Sequence, residues 1–173
     1  MSSRLASTPV RLHGLAPVVA PHTRVLVLGS FPSEASLAAG QYYAHPRNQF
    51  WPLLSTLWGI DLRVLPYAQR LEEVRRRGLG IWDVYATCRR EGSLDSAIEA
   101  AQPNDLAGLV QGLPQLRAIA HNGGESARTM ALTRTLVPEV VRLPSTSPAN
   151  ASWSLERKLD AWRALFMAHG LCA

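Results

Sequence analysis

The residues best equipped for chemistry in this 173-residue chain crowd into one stretch, AGQYYAHPRNQFW, from Ala39 to Trp51. Neither a helix nor a strand calls for that mixture of rings, imidazole, guanidinium and amides. Flat rings hold a flat ligand by stacking, worth about 1–3 kcal/mol for a nucleobase. A carboxamide donates and accepts side by side and so can read a base edge. Tyr42, Tyr43 and Asn48 offer both functions, and Asn122, at the end of LRAIAHN, offers a second amide. Simpler roles compete. Phe50 and Trp51 suit core anchors, Tyr43 could serve core or pocket, and Asn48 could merely cap the helix that follows.

Other chemistries fit poorly. G-x-G-x-x-G and G-x-x-x-x-G-K-[ST] are both absent, so neither a dinucleotide nor a P-loop phosphate site is expected, and no cofactor is. His45 and His121 lack Cys or carboxylate partners at ligand spacing, so no metal is expected. Ser30, His121 and Asp83 could be written as a triad, but no G-x-S-x-G elbow presents a nucleophile.

The elements that must position these residues follow from hydrophobic pattern. RVLVLGS (24–30) reads as a strand buried on both faces. QFWPLLSTLW (49–58) reads as a helix with Pro52 in its first turn. YAQRLEEVRRR (67–77) is amphipathic and closed by Gly78. LGIWDVY (79–85), LRAIAHN (116–122) and EVVRLPSTSP (139–148) are further strands, the last running into a loop. PNDLAGLVQGL (103–113) and GGESARTMALTRTL (123–136) are expected helices, and ATCRREGSLDS (86–96) a polar loop. The closing helix, 152–170, has Leu155, Leu159, Trp162 and Phe166 at helical spacing, with Gly170 as its stop.

Strands alternating with helices predict a three-layer α/β/α fold on a mostly parallel four-stranded sheet. The expected organisation is a loosely ordered lead-in over 1–23, then one domain over 24–173. In such sheets ligands bind beyond the carboxyl ends of the strands. GSFPSEASLAAGQYYAHPRN, ATCRREGSLDS, HNGGES and STSPANAS occupy that edge. The first is far longer than the usual two to six residues, which suggests a functional loop.

Composition narrows the partner. The formal net charge is +5 and the sequence pI about 9.9, which favours an anionic partner. All but one of the 18 basic residues are Arg, the exception being Lys158. Arg grips phosphate with paired hydrogen bonds, though a compositional bias of the genome gives the same count. Cys88 and Cys172 match no metal spacing, and reduced thiols suit a cytoplasmic chain. No apolar run is long enough to cross a bilayer, so no membrane partner is expected.

Three motifs carry a resemblance. GSFPS after the first strand, YYAHPRNQFW and STSPAN together resemble the uracil-DNA glycosylase superfamily. With AGQYYAHPRN and GSLDSAI, the chain looks most like the hypoxanthine-DNA (deoxyinosine) glycosylase branch, over roughly 24–165. The resemblance implies a DNA glycosylase acting on duplex DNA that holds a deaminated base, and a monomer is expected. One departure stands out. The first motif usually supplies an Asn or Asp that positions water, and the matching place here is Phe31. The branch resembled shifts that role to the Asn of its HPRN segment, here Asn48, which becomes the expected catalytic residue.

By the same resemblance, Ser30, Phe31, Tyr43 and Asn122 are expected to hold the flipped base. His45, Arg47, Ser145, Ser147 and Asn150 are expected to meet DNA. The wedge that fills the emptied stack would fall near Ala149 to Ala151, where the residues are small or polar, with Arg47 as substitute. Lys158 is expected among polar neighbours away from the edge, which argues against a Schiff base and strand cleavage. Uracil excision from G·U mismatches, a non-catalytic damage binder and a nucleoside hydrolase are the alternatives.

Overall fold

The computed structural model describes residues 10–150 and 152–173. Its elements are β1 (Arg11–His13), β2 (Val25–Gly29), α1 (Glu34–Ala39), α2 (Phe50–Trp58), α3 (Tyr67–Arg76), β3 (Leu79–Asp83), β4 (Tyr85–Arg89), β5 (Glu99–Pro103), α4 (Leu106–Gln111), β6 (Ala118–Asn122), α5 (Gly124–Ala127), α6 (Met130–Thr133), β7 (Glu139–Leu143) and α7 (Leu155–Ala168).

The expected parallel sheet is present, with strand order β3-β2-β6-β7. Every residue of β2 is buried, which is why its sequence shows no polar alternation. Its side chains divide between two layers. Val25 and Val27 join Phe50, Trp51, Trp162 and Phe166 on one face. Leu26 and Leu28 join Leu106, Leu113 and Val137 on the other. That is the three-layer α/β/α fold. Phe50 and Trp51 are core anchors as expected, and the Trp51 indole donates to Tyr42 O at 2.9 Å.

A second sheet, β1-β4-β5, is antiparallel and was not expected. The segment 86–96 is therefore not simply a loop, since its first residues pair with both β1 and β5. Register shifts interrupt the β4–β5 pairing, and Ala100 has φ 49°. Such irregularity hides the period-two pattern that marks a strand.

The lead-in also departs from expectation. Residues 1–9 lie outside the described residues, but the following residues are fastened to the fold. Gly14 N–H donates to Ala86 O, Val18 bridges Ile81, and the Tyr42 hydroxyl donates to Ala16 O at 2.7 Å.

The helix expected over 123–136 is two short ones. Buried His121 bonds Ser126 Oγ at 2.7 Å through Nδ1 and Thr133 Oγ1 at 2.8 Å through Nε2. A continuous helix would separate residues seven apart by about 10.5 Å along its axis, too far for one imidazole to join them comfortably. Along α7, Leu155 is 40% exposed rather than part of the apolar stripe, while Trp162 and Phe166 are buried.

Candidate active site

The carboxyl ends of all four parallel strands open on one cleft of about 730 Å³. Gly29 and Ser30 follow β2, Asp83 ends β3, Asn122 ends β6, and Pro144 to Asn150 follow β7. The long crossover after β2 contributes Phe31, Tyr42, Tyr43 and Asn48. It also folds a helix the sequence did not announce, α1, capped by Ser33 and stopped by Gly40 at φ 63°.

Tyr43 is the most constrained of these residues. Its φ is +55°, a conformation rarely adopted by a bulky side chain. One ring face stacks on Phe50 at 4.0 Å between centroids. Its hydroxyl accepts from Asn122 Nδ2 at 3.2 Å. Such backbone strain persists only where the surroundings enforce it, commonly at functional sites.

Asn48 lines the cleft, and its Oδ1 accepts from Phe50 N–H at 2.9 Å. The expected cap is therefore present on a residue that also lines the cleft. The cap fixes which end of the amide is oxygen, because only the oxygen can accept from that N–H. Among the described residues the Nδ2 group has no hydrogen-bond partner, and a second lone pair on Oδ1 stays open for a water.

Asn122 is committed elsewhere. Its Nδ2 donates to Tyr43 Oη and to Thr146 Oγ1, and its Oδ1 accepts from Thr146 N–H at 3.0 Å. It neither presents a free edge to a base nor caps α5, whose first turn begins at Gly123 without a side-chain cap. It is a tie between β6, Tyr43 and the loop after β7.

Ser30 and Phe31 both line the cleft and are nearly buried. The Ser30 hydroxyl donates to Asp95 Oδ1 at 2.6 Å, and Phe31 lies beneath the Arg90 guanidinium at 5.3 Å. Ser30, His121 and Asp83 form no triad, since His121 is taken up by Ser126 and Thr133. Ser145, Ser147 and Asn150 line the cleft. Ser147 Oγ accepts from Ala149 N–H, and Asn150 Nδ2 donates to Ser145 O. His45 and Arg47 stand apart from the cleft lining. His45 Nδ1 accepts from Arg47 N–H, and the Arg47 side chain is exposed.

Two residues hold positions at the site that the sequence reading did not give them. Asp83 is 5% exposed, and among the described residues its Oδ2 has no hydrogen-bond partner. Burial, then the nearby Asp95 charge, push its pKa from 3.8 up to about 7, against a smaller opposing pull from Arg90. A Cβ at Gly29 would sit 2.5 Å from Asp83 Oδ1 and 3.4 Å from Tyr43 Oη, so glycine is required for these groups to converge. The available signal was an acid ending the apolar run LGIW, in register with Gly29.

Lys158 is the second, and its expected position is wrong. It is 1% exposed, and its ammonium donates to Gln49 Oε1 at 2.8 Å and Asn150 O at 2.9 Å. With Gln49 N–H bonded to Thr146 O at 2.9 Å, it clamps the segment carrying Asn48 to the loop after β7. It lies behind these segments and is not among the residues lining the cleft. Burial lowers its pKa. Among the described residues, no group of three His, Cys, Asp or Glu side chains is placed to hold a metal ion.

The family model described as the uracil DNA glycosylase superfamily matches residues 16–166. The chain belongs to the uracil DNA glycosylase superfamily. A hypoxanthine DNA glycosylase of Methanosarcina acetivorans is 37% identical over 153 residues, covering 88% of this chain and 96% of that one. A hypoxanthine DNA glycosylase of Methanosarcina barkeri is 35% identical over 157 residues, covering 91% and 99%. An NMR structure of a candidate uracil DNA glycosylase from Methanosarcina acetivorans superposes with a TM-score of 0.82 at 34% identity. That match covers 93% of this chain and 99% of the other. This glycosylase therefore acts on the N-glycosidic bond of DNA. None of its helices, among the described residues, is long and apolar enough to cross a membrane.

Proposed function

We propose that this glycosylase excises hypoxanthine from duplex DNA by hydrolysis, leaving the strand intact. The observation that carries recognition of a deaminated base is the Asp83 carboxyl in the cleft, whose Oδ2 has no partner among the described residues and whose pKa burial raises to about 7. Deamination of adenine turns an acceptor-and-amine edge into an N–H beside a carbonyl. A protonated carboxyl offers one donor and one acceptor side by side, the complement of that edge. Uracil presents the same pair, so the choice of hypoxanthine over uracil is supported by the relatives named hypoxanthine DNA glycosylases.

The cycle begins with extrusion of the nucleotide, cheapest where pairing is already faulty. The open face of Tyr43 stacks the base, its other face being held by Phe50. As the glycosidic bond stretches, charge develops on the leaving base and on the sugar. Asn48 Nδ2, held by the Phe50 cap, donates to the base, while Oδ1 orients the attacking water. Prearranged donors contribute most where charge develops. Ser145, Ser147 and Asn150, with exposed Arg142 at the rim, hold the flanking phosphates. Arg47 and His45 lie farther along that path.

Strand scission through a Schiff base needs a free amine, and the lone lysine is engaged behind the loops. The chain works as a monomer, and in the cytoplasm, a compartment that suits the free thiols of Cys88 and Cys172. The test is a panel of duplexes holding hypoxanthine, uracil or xanthine, treated with enzyme and then alkali. Fastest release of hypoxanthine is expected. Preference for uracil overturns the choice of base, and a borohydride-trapped adduct overturns the intact-strand product.

A further inference from the structure

Flipping a nucleotide leaves a gap in the stack, and the gap closes again unless something apolar occupies it. Unstacking costs a few kcal/mol per step, which proteins offset by inserting an apolar side chain. In the loop after β7, Pro148, Ala149 and Asn150 are small, rigid or polar, which leaves Trp153 as its one large apolar candidate among the described residues. Ala151 lies outside the described residues. Arg47 is not among the residues lining the cleft.

Among the described residues, only Leu94 and Trp153 of the large apolar side chains left exposed belong to the cleft lining. Leu94 is 59% exposed and Trp153 37%. Trp153 already has one face covered, by the Arg157 guanidinium at 4.1 Å. Leu94 has no such cover, and the residues around it are fastened on every side. Buried Arg90 donates from Nε to Gly92 O at 2.8 Å and from Nη2 to Pro32 O at 2.6 Å. Ser93 Oγ accepts from Glu34 N–H at 3.0 Å, and Asp95 Oδ1 accepts from Ser30 at 2.6 Å. Gly92 allows the turn with φ +74°. The backbone of Leu94 is itself tied by Ala97 N–H at 3.0 Å.

A loose loop would fold an exposed leucine back onto the protein. This loop holds it out at the mouth of the cleft, on a mount that resists being pushed aside. We propose that Leu94 is the wedge that enters duplex DNA and fills the space left by the flipped nucleotide. It acts from the loop moored to the β2 crossover, two strands away from the loop after β7. The segment GSLDS thereby gains a role, with Ser93 and Asp95 as moorings and Leu94 as the working side chain. The inference rests on the base-excision reading but not on which base is excised.

The test compares single-stranded and duplex DNA holding whichever of hypoxanthine, uracil or xanthine the wild type releases. A wrong choice of base thus upsets the proposed substrate and leaves this experiment intact. Single strands have no stack to hold open. Leu94→Ala is therefore expected to lower kcat/KM on duplex about 10- to 100-fold, to leave it unchanged on single strands, and to weaken fluorescence of 2-aminopurine placed beside the lesion in the complex. Leu94→Met, which keeps the bulk, is expected to restore duplex activity. Exposure of the side chain predicts an unchanged Tm, and the single-strand rate checks that each variant is folded. Equal loss on both substrates, no loss on either, or a duplex-selective loss with Trp153→Ala but not Leu94→Ala would overturn the proposal.

Discussion

Replacing Asp83 by Asn tests whether the cleft keeps a carboxyl that prefers its proton. In the folded chain its pKa is about 7, against 3.8 ordinarily. That difference of about three pH units, at about 1.4 kcal/mol each, amounts to about 4 kcal/mol. Between pH 3.8 and about 7 the folded protein holds a proton that the unfolded chain has released. Stability therefore falls as pH rises through that window and levels off above it. Asn keeps the shape, with one donor and one acceptor, and has no proton to lose. Asp83→Asn is expected to lie about 1–2 kcal/mol below the wild type near pH 4, the cost of an imperfectly paired amide, and to exceed it by about 2–3 kcal/mol at pH 8. Urea unfolding at pH 4, 5, 6, 7 and 8 reads this directly. If the neutral carboxyl reads the base edge, wild-type activity on hypoxanthine also declines above pH 7 while the variant's holds. Parallel stability curves for the two proteins would refute the reasoning, since they would show Asp83 ionised in an ordinary environment.

The remaining predictions are narrower. Asn48→Ala should lower single-turnover excision by about 100- to 1000-fold, the usual cost of removing one prearranged donor, with duplex binding by fluorescence anisotropy unchanged. Tyr43→Ala should weaken binding of the flipped base by about 1–3 kcal/mol, read as affinity for lesion DNA relative to undamaged duplex. Lys158→Met leaves the acceptors Gln49 Oε1 and Asn150 O unpaired and should destabilise the fold by about 1–3 kcal/mol in urea melts. Arg142→Ala should weaken lesion and undamaged duplex alike and reduce the slope of log K against log salt by about one.

The parallel sheet was legible because strands buried on both faces must be continuously apolar, and VLVLG, LGIW and AIA are. The antiparallel sheet was not, because Arg11, Thr87, Arg89 and Glu99 mimic a solvated loop and the bulged register removes alternation. The rings and amides of 39–51 announced a site by type alone. Their division of labour was invisible, because Asn122 is claimed by Thr146 and Tyr43, residues 24 and 79 positions away in the chain. Lys158 shows the same limit. Its neighbours in sequence are polar and solvated, whereas its partner Gln49 lies 109 positions away. Asp83 could be named only as a member of a triad on paper, because sequence records identity and not the dielectric around it.

The engaged ammonium of Lys158 has a practical use beyond catalysis. As the single side-chain amine in the sequence, it is a built-in sensor. An acylating dye can reach it only when the Asn48 segment and the loop after β7 separate, so the rate of labelling there times their breathing. For the same reason, acetyl transfer to side-chain amines has no exposed target with which to discharge the basic surface, whose positive charge resides in guanidinium groups.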